Sequence, residues 1–104
     1  MNIEFKAKKM SQNPDVYWVY LKRDGKVLEI RDFIFGMSNP TLEIVLECIA
    51  DDYTLLKSSP TLDDFIINVG EHEDIEEDYK TFKIYMNECE DFFTEEELEF
   101  LITQ

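Results

Sequence analysis

Apolar and polar residues alternate from the start of the chain. Over residues 2–9, Ile3, Phe5 and Ala7 fall on one face and Glu4, Lys6 and Lys8 on the other, the period of a half-buried strand. Ser11-Gln12-Asn13-Pro14-Asp15 is turn chemistry. Two runs rich in β-branched and aromatic residues, VYWVYLKR and KVLEIRDFIF, flank Asp24-Gly25. Because that pair tolerates positive φ, the pattern predicts a β-hairpin of 16–23 with 26–35, closed by Gly36. The period then changes. Leu42, Val45, Leu46, Ile49, Tyr53 and Leu56 fall at helical spacing, with Asn39 as the expected N-cap and Pro40 as the first helical residue. A long helix over 40–57 follows, expected to pack on one face of a small sheet.

The pattern is less decisive beyond residue 58. Ser59-Pro60-Thr61-Leu62-Asp63 repeats Asn39-Pro40-Thr41-Leu42-Glu43 twenty positions later, as a duplicated unit or one capping solution used twice would. The run FIINV (65–69) and the segment YKTFKIYM (79–86) each fit helix or strand, and aromatic and β-branched enrichment favours strand. As strands they would form a second hairpin, 65–69 with 79–86, with EHEDIEED as a projecting loop. Thr94-Glu95-Glu96-Glu97 reads as a capping box, with Phe93 and Leu98 at the hydrophobic-staple positions, opening a short helix over 95–103. The expected fold class is α+β: a small, mainly antiparallel sheet with two helices, in a single domain over 1–104.

Charge changes the picture more than composition does. The chain has 104 residues, 44% hydrophobic and 13% aromatic, enough for one modest core. Its formal net charge of −14 lies entirely in residues 51–104, which hold three basic and seventeen acidic residues, whereas residues 1–50 hold seven of each. That balance argues against direct binding to nucleic acid or to an anionic membrane. No apolar run approaches a membrane span and the N-terminus lacks the apolar core of a signal peptide, so a cytoplasmic location is expected, with Cys48 and Cys89 as reduced, buried thiols.

Signatures of catalysis are sparse. The one histidine, His72, lies among carboxylates with no nucleophile or orienting partner suggested nearby, and reads as a solvated residue held protonated by its neighbours. No CxxC, HExxH, Walker or glycine-rich phosphate motif occurs. Asp74-Ile75-Glu76-Glu77-Asp78 lacks the ligand alternation and glycine of a calcium loop. The expectation is a protein with no catalytic residue, no metal site and no cofactor, and not an enzyme.

Partner binding is the remaining reading. Glu71, Glu73, Asp74, Glu76, Glu77, Asp78, Glu88, Glu90, Asp91, Glu95 and Glu96 form the candidate partner-binding set, with Tyr79, Tyr85 and Phe92 as candidate apolar anchors. Carboxylates at i, i+3 and i+4 on a helix, or i, i+2 on a strand, stand roughly 5–7 Å apart, on the scale of successive phosphates. In size, charge distribution and the EHEDIEED and ECEDFFTEEELE runs, the chain resembles the small acidic anti-CRISPR and anti-restriction inhibitors of phages and mobile elements. That resemblance covers the C-terminal half and implies stoichiometric inhibition of a basic nucleic-acid-binding protein by imitation of DNA or RNA. An acidic adaptor or immunity-type protein is the alternative, and a charge serving solubility alone is the third reading. Homodimerisation through an exposed sheet edge is left open by the sequence.

Overall fold

The computed structural model describes residues 2–36 and 38–103. Its elements are β1 (Glu4–Ser11), β2 (Val16–Arg23), β3 (Lys26–Ile34), α1 (Leu42–Lys57), α2 (Leu62–Val69), α3 (Ile75–Phe92) and α4 (Glu95–Ile102). The fold is α+β, a three-stranded antiparallel sheet followed by four helices. The chain divides into two compact units, Met1–Val45 and Leu46–Gln104. Among the described residues, no helix is long and apolar enough to cross a membrane.

The first unit is a meander in the order β1-β2-β3. Asp24 and Gly25 both have positive φ, 50° and 78°, and Arg23 pairs with Lys26, so the predicted hairpin turns as its Asp-Gly pair requires. On one face, Tyr17, Val19 and Leu21 of β2 and Leu28 and Phe33 of β3 are buried. The other face carries Lys6 and Lys8 of β1 opposite Tyr20 and Trp18 of β2, with Lys22 further along the same strand. A β-bulge sets Arg31 and Asp32 against Trp18, and the Arg31 guanidinium lies over the indole at 5.6 Å. β1 is less buried than its alternation predicts: Phe5 is half-buried and Ala7 is exposed.

Two threonines, rather than the residues expected, cap α1 and α2. The Thr41 hydroxyl accepts from the Ile44 amide at 3.3 Å, and the Thr61 hydroxyl accepts from the Asp64 amide at 3.2 Å. The repeated Pro-Thr-Leu is thus the same cap used at two helices, with proline just outside each. Asn39 instead accepts from the Tyr17 hydroxyl at 3.4 Å.

The second hairpin does not form. Residues 65–69 belong to α2 and residues 79–86 to α3. Thr61 caps α2, Asp63 and Asp64 suit its positive end, and Leu62, Phe65 and Ile66 sit at i, i+3, i+4. In α3 the buried residues are Ile75, Tyr79, Met86, Cys89 and Phe92, a helical stripe that a strand could not place on one side. Burial along this stripe outweighs the β-propensity of the run. Phe65, Ile75 and Tyr79 form a core cluster with Leu55, Leu62, Ile66 and Phe82 against it. Phe65 stacks on Phe82, with ring centres 5.5 Å apart. α4 opens on the predicted capping box, Thr94 and Glu97 bonding reciprocally at 3.1 and 2.9 Å, with Phe93 and Leu98 buried.

Candidate functional site

All eleven acidic residues of the candidate set are exposed. Glu71, Glu73 and Asp74 lie in the connection from α2 to α3, and Glu76, Glu77 and Asp78 form the first turn of α3. Glu88, Glu90 and Asp91 lie at the other end of α3, and Glu95 and Glu96 open α4. The second half of the expected projecting loop is therefore helix, and the acids fall into two clusters. At 1.5 Å per residue the cluster centres stand about 20 Å apart along α3. Lys80, Thr81 and Ile84 occupy the outward face between them.

Helix electrostatics separates the clusters. Carboxylates in a first turn face the positive end of the helix dipole, which accounts for Glu76, Glu77, Asp78, Glu95 and Glu96 without any partner. At the C-terminal end of α3 the dipole is negative, the last turn holds no basic residue, and Glu88, Glu90 and Asp91 gather there. Local stability does not explain those three.

The N-terminal cluster borders an open depression of about 620 Å³, with Leu62, Ile66 and Ile75 as its apolar lining and Glu71, Glu73 and Glu77 among its acids. His72 also lines it, and its Nε2 stands 2.6 Å from Asp78 Oδ2. Hydrogen bonding to Asp78 holds the imidazole above its ordinary pKa, so His72 offsets part of the local negative charge over a wider pH range.

The proposed aromatic anchors are not free surface. Tyr79 and Phe92 are buried, Tyr79 in the α2–α3 core. An aromatic residue in an acidic run has a polar neighbourhood in sequence but lies on the inner face when helical phase puts it there. Tyr85 is half-buried and belongs to a polar cluster between α1 and α3 with Cys48, Asp52 and Cys89. Burial, with Asp51 adding to it, pushes Asp52 up to about 6, against a hydrogen bond from Tyr85. Burial also pushes the Cys89 thiol up to about 12 and raises Cys48. Both cysteines are free, and such thiols are poor nucleophiles. Among the described residues, no three His, Cys, Asp or Glu side chains converge as metal ligands.

Sequence reasoning missed Ile84. It is 61% exposed on α3, opposite the Ile75–Tyr79–Met86 stripe, and flanked by both acidic clusters. Helical phase was the available signal: nine residues past Ile75 is two and a half turns, which puts Ile84 on the far side. Comparison with protein-family models, with curated proteins and with solved structures finds no match.

Proposed function

We propose that this chain is a non-catalytic acidic binder that inhibits a basic nucleic-acid-binding protein, such as a nuclease of the CRISPR or restriction type, by occupying its groove with a DNA- or RNA-like surface. The observation carrying this reading is the placement of Glu88, Glu90 and Asp91 at the negative end of α3, where they work against their own helix. Charge retained against local stability suggests a use elsewhere. The surface extends from there to Glu95 and Glu96, and over α3 to the cluster around Glu76. Basic grooves attract such a surface at a distance, with association that weakens as salt rises.

One feature favours the alternative, an acidic adaptor or immunity-type protein with a single basic partner and no imitation of nucleic acid. Ile84 interrupts the acidic face with an exposed apolar side chain, and a strict phosphate mimic has no need of one. Competition separates the two readings. A partner captured from nuclease-treated lysate by the immobilised chain should elute at moderate salt and be displaced by added DNA or RNA. A partner that DNA and RNA leave in place assigns the surface to an adaptor.

A further inference from the structure

The face of the sheet that carries Trp18 and Tyr20 differs in chemistry from the acidic stretch. Residues 1–45 hold seven basic and six acidic side chains, against three and eighteen in residues 46–104. Strand register collects Lys6, Lys8, Lys22 and Arg31 on the face that carries Trp18 and Tyr20. The four basic side chains are exposed. Glu29, on the same face, is taken by Arg31 at 2.9 Å, Glu4 stands across from Lys22, and Asp32 lies at the bulge opposite Trp18. Among the described residues, no ion-pair partner is found for Lys6 or Lys8. Cations also lie over both rings: Lys6 Nζ is 6.0 Å from the Tyr20 centroid and Arg31 is 5.6 Å from that of Trp18. The Trp18 Nε1–H is enclosed, with no acceptor among the described residues.

We propose that this face binds a single-stranded nucleic acid, through residues different from those of the acidic surface. Two rings at i, i+2 on the central strand stand about 7 Å apart and offer platforms on which unpaired bases stack. Lys6 and Lys8 share the same spacing on the neighbouring strand, close to the repeat of phosphates along an extended strand. Phosphates compete for Lys6 and Arg31, which lie over the rings, and so free stacking surface for the bases. Duplex DNA stacks its bases internally and cannot use the rings. An acidic peptide satisfies the cations and leaves the rings without partners. The net charge of −14 opposes any polyanion at long range, but with a Debye length of about 8 Å at physiological salt that repulsion is largely screened.

Trp18 is the one tryptophan of the chain, so its fluorescence reports on this face alone. The test is titration of the full chain with single-stranded dT12 and U12 oligonucleotides, alongside a twelve-base-pair duplex and poly-glutamate. Saturable quenching by the single strands is expected, weakening roughly twenty-fold between 50 and 200 mM salt for three phosphate contacts. Lys6→Gln with Lys8→Gln, both at exposed positions, should weaken binding at least five-fold and leave the emission of the free protein unchanged. Absence of quenching at 50 mM salt, equal quenching by poly-glutamate or duplex, or unchanged affinity in the double variant would each overturn the proposal. Because the acidic surface is not involved, none of these results bears on the inhibitor reading.

Discussion

The hydroxyl of Tyr79 on α3 donates to the backbone carbonyl of Ser59 at 2.9 Å, across twenty positions of sequence and in full burial. Asn68 of α2 reaches the same connection, donating to the Ser58 carbonyl at 3.0 Å and to the Ser59 hydroxyl at 2.9 Å. Two helices thus hold the link between α1 and α2. Tyr79→Phe keeps the packing and leaves a buried carbonyl unpaired, which should cost about 1–3 kcal/mol in urea unfolding. Partner binding should not change. An unaltered midpoint would mean that water reaches the Ser59 carbonyl.

Acidification should stabilise the protein through Asp52. Burial raises its pKa from the ordinary carboxylate range to about 6, so the folded state holds a proton that the unfolded chain releases earlier. The contribution is therefore full below the unfolded value, falls as pH rises through the folded one, and is gone above about 6. Two units would be worth about 2.7 kcal/mol. Because Asp52 is only partly buried, screening brings the expected effect to about 1–2 kcal/mol. Asp52→Asn should flatten the fall in stability between pH 4 and 6, followed by thermal melts; a fall of the same size in the variant would place its origin elsewhere. His72 has the same sign in a higher window, lost as pH climbs from its ordinary value to its raised one.

Charge reversal in the two acidic clusters should change stability in opposite directions while weakening binding in both. Glu88→Lys with Asp91→Lys should weaken partner binding and raise stability by about 0.3–1 kcal/mol per site, since cations suit the C-terminal end of a helix. Glu73→Lys, Glu76→Lys and Glu77→Lys together should abolish binding and slightly lower stability, with the fold intact by circular dichroism. Full binding in either folded variant would remove that cluster from the interface.

Ile84→Asp tests the exposed apolar position. It should leave the unfolding midpoint within about 0.5 kcal/mol of the parent, as surface substitutions do. A loss of binding would identify Ile84 as an anchor in place of the buried aromatics. Unchanged binding would leave the interface purely polar.

Thr61→Ala and Thr94→Ala should each cost about 1 kcal/mol, because each removes the acceptor for a first-turn amide. Equal stability of parent and variants in chemical denaturation would show that water replaces the hydroxyls.

These tests follow the line between what local sequence specifies and what it does not. Asp24-Gly25 and Thr94–Glu97 were legible because a turn or cap is decided within four residues. Residues 65–69 and 79–86 favour strand in local pattern because their β-branched and aromatic side chains carry that preference into helices whose phase is fixed over eight and eighteen residues. The exposure of the acids was legible, since unpaired carboxylates stay in water. The burial of Tyr79 was not, because its hydroxyl meets an acceptor twenty positions away. Asp52 lay beyond reach as well. Its environment exists only once Tyr85 of α3 is set beside α1.

The meander has a consequence for how the chain acquires its structure. Each strand pairs only with its neighbour in sequence, and the buried tie in the second unit closes a loop of twenty positions. An ion pair between Lys57 and Glu99 spans forty-two. Short loops are closed at small entropic cost, and folding rates rise as contacts become more local. The sheet's hydrogen-bonded ladder is complete by Ile34, before any residue of the acidic stretch is needed. All of the sheet's pairing therefore lies within the near-neutral stretch of the sequence, and none of it draws on the strongly charged one.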